Sequence, residues 1–201
     1  LSYLFMDKIG EISGLSQKPF TKTEEEFIIS MIRTMDTHFL QQYKLRLQRN
    51  EKYKYDYIPY FCLCYLKVRA HYKHIPPPKE VNDLIGIYLD ILEKTELSNP
   101  LMENAGRASA LFAWGREGST GRYMASIREH AINNGKKGYY FPNAVLPLRG
   151  IVSNETTAHS QLLNLFAKAG DMEMAEGIAR WLILQKENQY WGKSLYITDA
   201  V

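Results

Sequence analysis

Phe166-Ala167-Lys168-Ala169-Gly170-Asp171-Met172-Glu173-Met174 is a helix stop and a helix restart within a few residues. Glycine at 170 suits the left-handed residue that closes a helix. Asp171 supplies a carboxylate for the exposed N–H groups of the next one. Upstream, helical character runs from Asn154 to Ala169. Downstream, Met174, Ile178, Trp181 and Leu182 recur at spacings of three and four and form one apolar stripe, which Gln185 to Gln189 ends. Two helices joined by so short a link lie side by side, so the stretch reads as an antiparallel pair.

Working outward, the same grammar repeats. Leu4, Phe5, Ile9 and Ile12 are helically spaced, with Gly14 and Pro19 as stops. Thr23 and Glu26 have capping-box spacing, followed by a stripe of Phe27, Ile28, Met31, Ile32, Met35 and Phe39. Arg33, Asp36 and Gln41 lie on its polar side. Tyr57 to Tyr72 is apolar around most of its circumference (Tyr60, Phe61, Leu63, Cys64, Leu66, Val68), which calls for neighbours on several sides. Ile75-Pro76-Pro77-Pro78 is a rigid stop. A helix over Lys79 to Glu96 presents Val81, Leu84, Ile85, Tyr88, Leu89 and Leu92. Asn99-Pro100 opens another, closing at Gly115, and Ser119 or Thr120 caps one from Gly121 to Asn133. Between Asn134 and Ser153 glycines and prolines interrupt, and Gly138-Tyr139-Tyr140-Phe141 is expected to pair with Val145 to Leu148 as a hairpin near 138–149. Thr198-Asp199-Ala200-Val201 reads as one more helix start. The expectation is therefore an all-α chain of about eight paired helices. No repeat of constant period runs through it, so a closed ring of pairs fits better than a plain solenoid.

A chain of 201 residues suits one domain or two small ones and buries a sizeable core without metal or disulfide. Its 25 basic and 22 acidic residues are well mixed, which argues against a dedicated nucleic-acid surface. No stretch reaches the about 18 apolar residues of a membrane span. Both ends look cut from something longer. Cys62 and Cys64, two apart on a helix, point in different directions and read as core residues rather than a disulfide.

Residues with chemical potential have plainer readings. His71 and His74 are three apart, but no Cys or carboxylate accompanies them at a recognised spacing, and the proline run follows at once, so no metal or cofactor is expected. The carboxylates collect at helix starts, where capping explains them, and no catalytic residue is assigned. Arg116-Glu117-Gly118-Ser119-Thr120-Gly121-Arg122 lacks the strand and lysine of a phosphate loop and reads as an inter-helix turn. Tyr53, Tyr55, Tyr57 and Tyr60, among lysines, suit packing at a helix junction better than base stacking. Tyr139, Tyr140, Tyr190 and Trp191 are the aromatic set that could meet on one rim and contact a partner.

In its C-terminal half the chain resembles a known family. Thr156-Thr157-Ala158-His159-Ser160-Gln161-Leu162-Leu163-Asn164-Leu165-Phe166, then Ala179-Arg180-Trp181-Leu182 through Gln189-Tyr190-Trp191-Gly192, then Thr198-Asp199-Ala200, resembles in order and spacing the helical toroid (thioester-type) domain of the bacterial alpha-2-macroglobulin family. Gly138-Tyr139-Tyr140-Phe141 sits where that family has a Gly-x-Tyr-Trp strand, and Tyr60 to Pro78 matches more loosely. The resemblance implies a partial alpha/alpha toroid over residues 1–201, truncated at one or both ends. It implies a non-catalytic domain of a secreted protease trap whose partners are its neighbouring domains and, indirectly, proteases. The implied location is the periplasm or cell surface, with lipid anchoring through a segment before Leu1. The family's Cys-x-Glu-Gln thioester motif is absent: Cys62 is followed by Leu63-Cys64-Tyr65 and Cys64 by Tyr65-Leu66-Lys67, so no thioester residue carries over. Two other readings compete. A tetratricopeptide-like scaffold is suggested by the Phe166–Asp171 turn, and a toroidal glycan-processing enzyme would need two converging carboxylates.

Overall fold

A computed structural model describes residues 2–15, 20–49, 58–97, 100–142, 144–145 and 155–187. The chain is all-α, with eight helices and one two-stranded sheet among the described residues. It divides into two compact units: residues 1–95 with 113–115, and residues 96–112 with 116–201. No described helix is long and apolar enough to cross a membrane.

The first unit contains α1 (Ser2–Leu15), α2 (Lys22–Arg49), α3 (Tyr60–His71) and α4 (Lys79–Lys94). A capping box starts α2, but at Thr21–Glu24 rather than at Thr23–Glu26. Thr21 N–H donates to Glu24 Oε2 at 2.7 Å and Glu24 N–H donates back to Thr21 Oγ1 at 3.4 Å. Both pairs have the required spacing, and the earlier one adds intrahelical hydrogen bonds. Ile28, Ile32, Met35 and Phe39 are buried as the stripe requires, whereas Phe27 is half exposed at the helix start. The apolar circumference of α3 packs against α1 and α2. Phe39 of α2 stacks on Tyr65 of α3 at 3.9 Å and meets the edge of Tyr88 of α4 at 5.5 Å, so one aromatic chain crosses three helices. The six apolar positions expected on α4 are all buried.

Asp36 departs from the expected polar face: it is 3% exposed and paired with Arg69, itself 1% exposed. Arg69 Nε donates to Asp36 Oδ1 at 3.0 Å, and Tyr65 Oη donates to the same oxygen at 2.6 Å. The other two guanidinium nitrogens donate to the main-chain oxygens of Tyr72 and Ile75. A charge reaches this interior because each guanidinium nitrogen has an acceptor and a carboxylate balances it. Helical periodicity registers Asp36 as polar but carries no trace of a partner 33 positions away.

The second unit contains α5 (Leu101–Ala113, its last residue belonging to the first unit), α6 (Glu117–Glu129), β1 (Ile132–Asn133), β2 (Tyr139–Tyr140), α7 (Glu155–Lys168) and α8 (Met172–Glu187). The Arg116–Arg122 run is mostly helix, not the expected turn. Glu117 places negative charge at the positive helix end and Thr120 Oγ1 donates to Arg116 O at 3.2 Å. The strand partner also differs from expectation: β2 pairs antiparallel with β1 upstream, Ile132 opposite Tyr140 and Asn133 opposite Tyr139. Val145 is not in a strand, and 146–148 lie outside the described residues. The turn chemistry lies in Asn133-Asn134-Gly135, where Asn133 Oδ1 accepts from Gly135 N–H at 2.8 Å and Gly135 adopts φ +57°. The α7–α8 pair forms as its sequence implies, with Gly170 at φ +77° and Asp171 Oδ1 accepting from Met174 N–H at 3.3 Å.

Candidate functional site

The aromatic rim is built on β2 and α8. Tyr139 and Tyr140 alternate on β2 and are both half-buried. Tyr139 Oη donates to Glu173 Oε1 at 2.6 Å, and Arg128 of α6 reaches Glu173 Oε2 at 3.3 Å. These two donors hold the Glu173 carboxyl below its ordinary value. Arg128 Nη2 also straddles both oxygens of Asp171, at 2.6 and 2.5 Å. The carboxylate that caps α8 thereby ties it to α6.

Tyr140 points into a three-ring cluster. Its ring lies 5.5 Å from His159 and 5.3 Å from Trp181, while His159 stacks on Trp181 at 3.9 Å. His159 is fully buried, and both ring nitrogens are engaged. Nδ1 lies 2.7 Å from Glu155 O, which only accepts, and Nε2 accepts from Phe141 N–H at 3.0 Å. These partners fix the neutral Nδ1–H tautomer. Burial depresses the imidazole to about 4. A neutral ring with both nitrogens occupied is an anchor for β2, not a proton shuttle.

Two glycines let β2 come this close to α8. Gly138 adopts φ +86° and ψ −163°, a region essentially confined to glycine. A Cβ there would lie 2.1 Å from Gly177 O, and a Cβ on Gly177 would lie 2.0 Å from the Tyr139 ring. Of the four rim residues expected from sequence, Tyr139 and Tyr140 are adjacent and seated on α8. Tyr190 and Trp191 lie outside the described residues. His159 and Trp181, which complete the ring cluster, carry no signal as a pair in the sequence because they belong to different helices.

Compared with known proteins, the chain matches no family model, no curated protein and no solved structure.

Other reactive groups are placed as follows. Burial pushes the thiols of Cys62 and Cys64 up to about 12, and both are free. His71 and His74 diverge: His74 is exposed, while the His71 ring faces α1. Among the described residues, one set of potential metal ligands converges, Asp7 and Glu11 of α1 with His71 of α3. The carboxylates that meet His71 lie some sixty positions away, where local spacing gives no sign of them.

Proposed function

We propose that the chain is a non-catalytic helical platform, part of an alpha/alpha toroid in an alpha-2-macroglobulin-like protease trap of the bacterial periplasm or cell surface. One observation carries the reading. Of the segments that bear the resemblance, Gly138–Phe141 spans β2, and Thr156–Phe166 and Ala179–Leu182 belong to α7 and α8; these pack on one another through the Tyr140–His159–Trp181 rings, while Gln189–Gly192 and Thr198–Ala200 lie outside the described residues. A match on three separated segments gains weight when its residues form one packing unit. The locked imidazole and the high-pKa thiols favour a structural role for the residues that otherwise invite catalysis.

In this reading the helices supply a rigid surface against neighbouring domains, and bait cleavage elsewhere changes which contacts that surface makes. Such coupling requires contacts that differ between the uncleaved and cleaved states. The test uses the whole protein that carries this chain. It is incubated with an endoprotease, then assayed on a large protein substrate and on a small peptide. Lost cleavage of the protein with retained cleavage of the peptide supports entrapment. Equal activity on both, with the parent degraded, overturns the reading and favours the peptide-binding scaffold suggested by the Phe166–Asp171 turn.

A further inference from the structure

We propose that Asp7, Glu11 and His71 form a site for a zinc-class divalent cation between α1 and α3, held closed in the metal-free protein by the ammonium of Lys67. Asp7 and Glu11 are four apart on α1 and therefore share a face, as Lys67 and His71 do on α3. The two faces meet. Lys67 Nζ lies 2.6 Å from Asp7 Oδ2 and 3.8 Å from Glu11 Oε1, and His71 Nε2 lies 3.2 Å from Asp7 Oδ1. One ligand atom from each of Asp7, Glu11 and His71 falls within 4.8 Å of the others. Drawing them onto one ion at about 2.0–2.2 Å requires a contraction of about 1 Å, which the rotatable bonds of Glu11 supply.

Three observations bear on the ligand. Lys8 Nζ also lies 3.4 Å from Glu11 Oε2, so the two carboxylates already draw two ammoniums, and a divalent ion enters by displacing them. One nitrogen and two carboxylate oxygens suit zinc better than calcium, which takes six to eight oxygens, or magnesium, which retains its waters. Thirdly, α1 carries glycine at position 10, a poor helix residue, where a Cβ would lie 2.7 Å from His71 Cβ and Cγ. That missing side chain is the space in which the imidazole sits against α1. Lys67 is then the competitor: the incoming ion takes its place on Asp7 and the flexible ammonium swings toward solvent.

The alternative is a plain ion-pair network with Lys67 as its permanent cation. Zinc chloride titrated calorimetrically into the chain at pH 7.5 in a non-chelating buffer separates the two, with Co²⁺ absorption reporting the ligand set. The expected result is saturable binding of one equivalent. His71→Gln, which retains a polar group near Asp7, weakens it at least tenfold, and Lys67→Met tightens it at least tenfold by removing the competitor. Glu11→Gln, which keeps the size and shape of the side chain, weakens it as well and keeps the test valid if either other variant fails to fold. No saturable binding at 100 µM zinc, or affinity unchanged from the parent in both His71→Gln and Glu11→Gln, overturns the site. So does unchanged affinity in a folded Lys67→Met.

Discussion

Gly177 O occupies the position that a Cβ on Gly138 would need, 2.1 Å away, so the turn before β2 and the middle of α8 are in backbone contact. Neither glycine marks a simple chain reversal. Gly177 lies inside α8, where it lowers helix propensity, and its value is the approach it permits.

Substitution at Gly138 is therefore expected to be severe. Gly138→Ala meets both a glycine-only backbone conformation and a main-chain clash, and should cost about 3 kcal/mol or more in urea unfolding. Gly177→Ala instead meets the Tyr139 ring. Its destabilisation is expected to shrink when combined with Tyr139→Ala, because the obstructing ring is then gone. An additive double variant would contradict that account.

His159 makes stability acid-sensitive in a definite window. Burial holds its folded pKa near 4, against about 6.5 unfolded, so below pH 6.5 the unfolded chain binds a proton that the folded chain refuses. The contribution is fully present above pH 6.5, falls as the pH drops, and levels off below about 4. Between pH 7 and 4.5 the loss is about 2–3 kcal/mol. His159→Gln should flatten this slope relative to the parent, as read from urea midpoints at both pH values, even though it lowers stability at pH 7.

The Arg69–Asp36 pair tests a different kind of burial. Asp36→Ala strands a guanidinium that is 1% exposed, with an expected cost of about 3–5 kcal/mol. Replacing both partners with apolar residues is not expected to restore stability, because Tyr72 O and Ile75 O each lose the Arg69 donor, although Tyr72 O keeps Ile75 N–H at 3.0 Å. Chemical denaturation of the single and double variants measures both effects.

Cys62 and Cys64 are expected to resist alkylation in the folded chain. A shift from 9.0 to about 12 lowers the thiolate fraction at pH 8 by about a thousandfold. Iodoacetamide labelling followed by mass spectrometry should be slow without denaturant and rapid with it. Fast labelling of the native protein would place the thiols outside the core.

The helices were legible because their signals are local. The α4 stripe, the Gly170–Asp171 link and the proline stop after Ile75 each state their structure within a turn or two. What escaped depends on distant residues. Asp36 looks like a surface residue until Arg69 arrives, and His71 looks solvent-exposed until Asp7 and Glu11 do. The hairpin departs from expectation for a nearer reason: Asn133-Asn134-Gly135 is a strong turn signal, but a helix read as far as Asn133 conceals β1. Of the rim, Tyr139 and Tyr140 were found by their strand, while the His159–Trp181 stack required two helices to be placed before it existed.

The turn after α3 shows where a loop's shape can be stored. Arg69 grips the oxygens of Tyr72 and Ile75, main-chain atoms that every amino acid carries. The path of the chain into Pro76 is thus written in a residue that lies outside the turn. Exposed His74, beside that grip, can change identity freely as far as this path is concerned. A surface there could acquire new chemistry over evolutionary time without losing its outline.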